Sequence, residues 1–598
     1  MESVDAVVIG AGHHGLVSAA VLADAGWDVL VLEERDEVGG AVASREVDGW
    51  VMDEFSACHP LGVASPVLTG LGLEDHGLSW AHAPRVVAHV GEDDDPGVVM
   101  ERDPAATAAT LEADHPGDGE AWVSMVEHWQ TVREPLLAAL LTAWPPVTDT
   151  ARLVRRLGLS DSLDLARLAL LPVDRLGRER FGGEAGRSLL AGNALHADIS
   201  PTGAGSGLYG WMMTMLAQDV GFPSPVGGTR MLAEALRSRA EAGGARVETG
   251  VRVEAVPVRG GRATGVVTAD GRRVRARRAV VADTSAPALY DRLLPASAVP
   301  AGLRRRLERF EWDLPTIKLN FRLSEPAPWR SEAARGAAVV HAGQSSRGLV
   351  RWAAAIDSGV LPERPFALVG QMSTVDPTRS PEGTEALWAY SHVPRESWAD
   401  HEVVAAGIER VEEMLEGLAP GFREVVLDRW DQTPTSLQES DANLGQGGVG
   451  GGTQQLFQQA IFRPVTGLGG PRTHLAGLYL GSAAIHPGGG VHGGCGWLAA
   501  NAALRDHRWW GRPVARAQRG LLGRIHGGPV RLHTTGGPLE VDEVLVATGR
   551  TPRLTDLGLE SVGVTPEDAR AGHLPDWLHL VGDAAGTARL LTHLRADE

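Results

Sequence analysis

Residues 5–41 read DAVVIGAGHHGLVSAAVLADAGWDVLVLEERDEVGGA, and changes of period within this stretch decide the fold. Asp5–Gly10 is a short β-branched run with strand character. Leu16, Ala19, Ala20 and Ala23 then recur at helical spacing, and Asp28–Glu33 returns to a strand. Strand, helix and strand in direct succession predict a βαβ opening. Between the first strand and the helix stands Gly10-Ala-Gly12-His-His14-Gly15. Gly10 permits the tight turn, Gly12 lets a pyrophosphate approach the backbone, and Gly15 lets the helix pack close to the strand. The helix N-terminus then turns free N–H groups and its positive dipole end toward the phosphates. Glu33 closes the second strand, where its carboxylate accepts from ribose hydroxyls and would repel a 2′-phosphate. These features call for an ADP-bearing dinucleotide and leave NAD and FAD both open.

Working outward, 598 residues exceed what one hydrophobic core usually organises, so two domains or a discontinuous domain with an insertion are expected. The balance of 56 Lys and Arg against 75 Asp and Glu, a net charge of -19, speaks against nucleic acid as a partner. Two cysteines, Cys58 and Cys495, give no basis for a disulfide framework or a cysteine-rich zinc site, and a reducing cytoplasm is the expected compartment. No positively charged region precedes the first apolar run, and no uncharged apolar window reaches spanning length, so neither a signal peptide nor a spanning helix is expected. Neither HExxH nor GxSxG occurs, and no metal is expected. Glycines cluster at 10–15, 39–40, 445–452 and 488–496, as where backbone repeatedly comes close to a ligand.

The chain between these clusters changes texture several times. EPLLAALLTAWPP, TARLVRRLGL and LDLARLALL are helical in pattern, the first stopping at Pro145. From Ala245 the segments ARVETGVRVEAVPV, RATGVVTADG and RRVRARRAVVAD read as strands, with Asp270-Gly271 as a hairpin turn. IKLNFRL at 317–323, FALVGQMS at 366–373 and a helix near 401–417 predict a second sheet. AGLYLGS at 476–482 is a strand, and HPGGGVHGGCGWLAANAAL at 486–504 is a glycine turn running into an Ala-rich helix. The expected class is α/β: a discontinuous Rossmann domain at 1–103, 226–300 and 466–518, a largely helical substrate region at 104–225, a mixed sheet-helix substrate domain at 301–465, and a tail at 519–598.

Glu33-Glu34-Arg35-Asp-Glu-Val-Gly39-Gly40-Ala41 resembles the ExxxxxGG extension of the glutathione-reductase-like flavoproteins, which include amine oxidases and phytoene desaturases. The resemblance implies FAD, with the glycine pair against the diphosphate and ribityl region. It continues through Val226-Gly-Gly228, AVVADTSAP at 279–287, STVDPTRSPEG at 373–383, ANLGQGGVGGGTQQLFQQAIFRP at 442–464 and GLYLGSAAIHPGGGVHGGCGWLAANAAL at 477–504, so that most of residues 4–505 resemble the phytoene-desaturase-like group. It implies backbone contacts from Val253 to the adenine and an approach of Gly489, Gly490 and Val491 to the isoalloxazine ring. The turn also has a physical reason: N–H donors at a helix start suit the flavin edge where negative charge gathers on reduction. His14 stands where relatives often carry Asn, and Gly481 and Trp497 also depart from related patterns.

The substrate-side candidates are Asn193 and His196 in LLAGNALHADISP, together with His486. His492 reads first as a hydrogen-bonding residue and Cys495 as packing, whereas Cys58 and His59 in FSACHPLG read as facing the substrate space, at a spacing that makes no metal site. The apolar stretch Leu136, Leu137, Leu140, Leu141 and Trp144 reads either as core or as a lip for peripheral membrane contact. Residues 528–593 resemble a fragment of a pyridine-nucleotide disulphide reductase, with Ala547-Thr-Gly549-Arg550 and Gly582-Asp583 as the matching motifs and with no GxGxxG loop or cysteine pair. The implied activity is hydride transfer from a C–H bond of an apolar or amphipathic small molecule to flavin N5. The electron acceptor, the catalytic acid or base and the oligomeric state are open. A flavin amine oxidase is the enzymatic alternative, and an FAD-stabilised binding or regulatory protein with little turnover the alternative of another class.

Overall fold

The computed structural model describes residues 2–91, 95–527, 530–534, 537–541 and 565, the two segments at 530–541 by their backbone only. Two compact units divide the chain, 1–528 and 529–598.

In the first unit, Glu2–Ile9 lies between Arg273–Ala282 and Val29–Leu32, parallel to both. Arg246–Glu248 extends this sheet on one side and Leu478–Leu480 joins it on the other, again in parallel. Gly265–Thr268 and Val253–Ala255 add antiparallel strands. Helices cover the parallel part, so its strands are apolar on both faces: Val29–Leu32 is buried throughout. The helix His13–Asp24 packs on Gly494–His507, carried by the far end of the unit. A Cβ on Gly496 would lie 1.9 Å from the His14 carbonyl oxygen, so only glycine allows the two helices to meet. Ser18 stitches the contact by donating to the Gly496 carbonyl at 2.9 Å.

The second sheet runs in the order Val426–Gln432, Thr316–Leu323, Glu385–His392, Ala367–Gln371, Ala337–Ala342, Arg85–Val90 and Val98–Met100. Its pairings are antiparallel except that between Ala337–Ala342 and Arg85–Val90. The strands between Arg85 and Met100 thus belong to this sheet, although they fall within the segment 1–103 assigned to the nucleotide domain: they supply its edge. Along Thr316–Leu323 the side chains alternate. Ile317, Leu319, Phe321 and Leu323 join the apolar core that includes Val404, Val411 and Leu415 of the helix His401–Leu418. Thr316, Lys318 and Asn320 occupy the other face. Register then sets one row across five strands on that face: Lys318, Tyr390, Leu368, His341 and His89.

Between residues 104 and 220 the chain forms the helices Pro104–Asp114, Asp118–Leu140, Val147–Leu168, Val173–Arg180, Glu184–Ala194 and Ser206–Val220. The third bends at Gly158, where φ is +78°. Helix Gly511–Ile525 lies in the first unit, so the expected boundary at 519 falls inside a helix. In the second unit, Val530–Thr534 and Gly537–Val541 pair as an antiparallel hairpin. The motifs at 547–550 and 582–583 lie outside the described residues.

Candidate functional site

The glycine turn after the first strand is held from several directions. Gly10, at φ +91°, donates its amide to the Leu32 carbonyl at 2.8 Å. A Cβ on Gly15 would sit 2.2 Å from the Gly10 oxygen, which is the close helix-on-strand approach the motif requires. Gly39 donates to the Ala11 carbonyl at 2.9 Å, bringing the Gly39-Gly40 pair beside Gly12. The Glu33 side chain is buried at the strand end. It accepts from the amides of Ala11 at 2.7 Å and Arg35 at 2.9 Å, and burial raises its pKa despite those bonds. Glu34 faces Arg252 at 3.5 Å and Arg35 faces Glu54 at 3.4 Å, so these two side chains form ion pairs at the rim.

From this cradle a cavity of about 370 Å³ runs to the second sheet, within the usual range for a small-molecule site. Gly12, His14, Gly40, Ala41, Gly489, Gly490 and Val491 line its first part; Thr316, Lys318, Val339, Trp388 and Tyr390 form the sheet wall, and Leu140, His196, Met212, Met213 and Phe222 the helical wall. Arg463, fully buried, fixes the loop opposite the second glycine turn by donating to the carbonyls of Ala483 at 2.8 Å, Thr453 at 2.9 Å and Gly450 and Gly452 at 3.1 Å. A Cβ on Gly489 would come within 2.6 Å of the Gly450 oxygen, so the turn and this loop touch backbone to backbone.

The polar groups of the cavity are electrostatically unusual. Burial pushes Asp283 up to about 8; its Oδ2 accepts from the Gly15 amide at 2.8 Å, and Asp441 and Glu33 lie near enough to raise it further. Asp313 is likewise pushed up to about 7 by burial, with Asp198 adding to the effect, and accepts from the Gly450 amide at 2.6 Å. Lys318 is lowered to about 8 by burial and donates to the Asp53 carbonyl. Asp198 pairs with His392 at 3.0 Å, and Trp388 and Tyr390 stack at 5.9 Å. None of these groups was singled out from sequence. The signal for Lys318 was the alternation of Thr316, Lys318 and Asn320 in an otherwise apolar strand.

Some expected contacts are not brought together. Val253 pairs with Thr268 in the sheet and is packed in the core; it is Val251 whose amide reaches the Glu33 carbonyl, at 2.7 Å. Asn193 donates to the Leu189 carbonyl at 2.8 Å within its own helix, and does not line the cavity. His486 packs edge-on against Trp144, ring centroids 5.8 Å apart, and only its neighbour Pro487 reaches the cavity. Leu137 and Leu141 are buried and Leu140 lines the cavity, so of the two readings of this stretch the core one holds for these residues. His14, His492 and Cys495 bring their ligand-type atoms within 4.8 Å of one another. Both His492 nitrogens are already engaged, Nδ1 by the Gly494 amide at 2.9 Å and Nε2 by the Gly488 carbonyl at 3.2 Å.

The cradle fits an ADP-bearing cofactor: side chains are excluded where the diphosphate backbone contact is needed, a buried carboxylate ends the second strand, and Asp283 is largely uncharged at neutral pH. FAD-dependent oxidoreductases are built in this way, with a nucleotide sheet and a substrate sheet facing one cavity, and the chain is one of them. Residues 15–504 match the family described as flavin containing amine oxidoreductase, and the protein belongs to that family. It is 29% identical to the mouse (Mus musculus) pyridine nucleotide-disulfide oxidoreductase domain-containing protein 2, over 84% of this chain and 93% of that one. A limonene dehydrogenase polypeptide of Castellaniella defragrans is 24% identical over 87% and 99% of the two chains. The zeta-carotene-forming phytoene desaturase of Myxococcus xanthus is 25% identical over 81% and 90%. Among solved structures, an oxidoreductase from Methanosarcina mazei superposes with a TM-score of 0.56 at 17% identity, covering 84% of this chain and 100% of that one. Putrescine oxidase bound to putrescine superposes at 0.54, also at 17% identity, covering 84% and 98%.

Proposed function

We propose that the protein is a desaturase or dehydrogenase that removes hydride from a C–H bond of an apolar or amphipathic small molecule. The observation that carries this is the cavity, which leads from the glycine cradle to a wall built from Met212, Met213, Phe222, Val339 and Trp388. Bound FAD supplies a two-electron acceptor. Gly10, Gly12 and Gly15 hold its diphosphate, Glu33 its ribose, and Gly39, Gly40 and Ala41 the adjoining chain, with His14, Gly489, Gly490 and Val491 toward the ring. Val251 takes the place of Val253 beside Glu33. Lys318 and His196 are the titratable groups on the substrate side, and the relatives that act on limonene and phytoene support the substrate class.

Amine oxidation is the second reading, favoured by the stacked Trp388 and Tyr390 and by Asp198, which together suit a cation. Anaerobic titration of the FAD-loaded protein with limonene, phytoene and putrescine separates the two. Bleaching of the flavin absorbance by either hydrocarbon supports desaturation, bleaching by putrescine alone supports amine oxidation, and no bleaching by any of them counts against both.

The same proposal extends to peripheral membrane contact and a reducing cytoplasm. Among the described residues no helix is long and apolar enough to cross a membrane. The helix Val147–Leu168 and its end nevertheless expose Val147, Leu159, Leu163 and Leu170, apolar side chains that support contact with a lipid surface. Both cysteines are free thiols.

A further inference from the structure

The helix Gly511–Ile525 stands near the end of the first compact unit. Its buried residues, Gly511, Ala515 and Leu522, hold it on the body of that unit, and a Cβ on Gly511 would lie 1.8 Å from the Arg505 carbonyl oxygen. Arg306 of the helix Ala301–Leu307 donates to the Ile525 carbonyl at 3.1 Å, so a second helix is docked at its far end. Most of its remaining surface is open. Trp510, Val514, Ala517 and Leu521 recur at helical spacing and fall on one stripe, and all four are exposed. Trp509 beside them is 84% exposed. A contiguous apolar stripe on a surface helix marks a place of contact.

The same segment is strongly basic in an acidic protein. Residues 505–526 carry six arginines against one carboxylate, Asp506, whereas the whole chain has a net charge of -19. Asp506 is buried and already occupied, facing Arg472 at 2.6 Å and Arg519 at 3.7 Å. Among the described residues, Arg505, Arg508, Arg512, Arg516 and Arg524 thus have no carboxylate partner, and all five are exposed. The docked helix and the turn after it add exposed Arg304, Arg305 and Arg309. Uncompensated cations beside exposed tryptophans suit a bilayer interface. The apolar stripe enters the boundary of the acyl chains, the indoles sit at headgroup level, and the guanidiniums reach the lipid phosphates. A nucleic acid would use the arginines but leave Val514 and Leu521 in water.

We propose that the helix Gly511–Ile525, with Trp509 and Trp510 at its start, docks the protein on anionic phospholipid bilayers. The proposal rests on the reading of peripheral membrane contact, and names the surface and the lipid charge which that contact uses. At physiological salt the Debye length is about 8 Å. The net negative charge spread over the rest of the protein is therefore screened from the bilayer, while arginines at the interface are not. Each arginine brought to an anionic surface strengthens binding about fivefold.

The test uses the FAD-loaded full chain and its co-sedimentation with vesicles of phosphatidylglycerol or of phosphatidylcholine. The native protein is expected to bind phosphatidylglycerol, less so as salt is raised, and to bind phosphatidylcholine far more weakly. Arg512→Gln combined with Arg516→Gln should weaken binding to phosphatidylglycerol about 25-fold. Trp509→Ala combined with Trp510→Ala should weaken it roughly tenfold or more, through the apolar area kept in water. All four positions are exposed and none lines the cavity, so both variants should keep FAD and native circular dichroism. Equal binding to the two lipids, or binding that neither variant changes, overturns the proposal. Loss of binding in Leu159→Ser combined with Leu163→Ser, with the arginine and tryptophan variants unaffected, would leave membrane contact standing and remove it from this helix. Binding of duplex DNA without binding of phosphatidylglycerol would assign the arginines to a polyphosphate and overturn the proposal. Absence of binding to either lipid overturns it together with the membrane reading.

Discussion

Asp283 is the residue whose ionisation governs how the cradle receives its cofactor. It ends a central strand, accepts from the Gly15 amide at the start of the phosphate-facing helix, and titrates near 8 because burial disfavours its charge. Its folded pKa is raised. Its stabilising contribution is therefore complete below the ordinary carboxylate range and is lost as pH rises through about 8. A diphosphate beside it opposes ionisation further. FAD retention should accordingly fall above pH 8, by up to about tenfold per pH unit, and Asp283→Asn, which stays neutral, should flatten that fall. Equilibrium dialysis of FAD between pH 7 and 9 measures both; parallel profiles for the native and substituted proteins would contradict the assignment.

At the scale of elements, the glycine-rich ends are legible because their purpose is local. Strand, turn, helix and acidic end follow one another within residues 5–33, and each rule involved concerns neighbours in sequence. The substrate wall was not legible for the opposite reason. That Lys318 sits across from Tyr390, and His341 beside His89, is a matter of register between strands far apart in the chain. Asn193 shows the converse limit: a polar residue in an apolar helix looks the same whether it lines a cavity or bonds back to its own helix, as it does here. The contact between His13–Asp24 and Gly494–His507 gives a prediction at this scale. Gly496→Val forces a side chain into the His14 carbonyl and should cost roughly 1–3 kcal/mol of stability and weaken FAD binding, since the first helix carries His13 and His14 of the cavity lining and the second follows closely on the turn at Gly489, Gly490 and Val491. Thermal unfolding with and without added FAD checks it, and an unchanged melting temperature would show that the helices part without penalty.

For the molecule as a whole, every described residue that lines the cavity falls between Gly12 and His492, and the first compact unit ends at Gly528. Deleting residues 529–598 should therefore leave one FAD per chain and an unchanged rate of flavin reduction. Absorbance and acid-released flavin measure the first, and loss of FAD from a truncated chain that still shows native circular dichroism would mean that the tail contributes to the site. The strand Leu478–Leu480 and the helix Gly494–His507 complete a sheet begun at Glu2. Their placement has a consequence in time. On the ribosome the opening strand and helix emerge first and must wait for their last partners; at about 5–20 residues per second that interval is on the order of a minute. The cradle is unfinished throughout it, with an apolar helix face uncovered, so cofactor loading is a late event in biosynthesis.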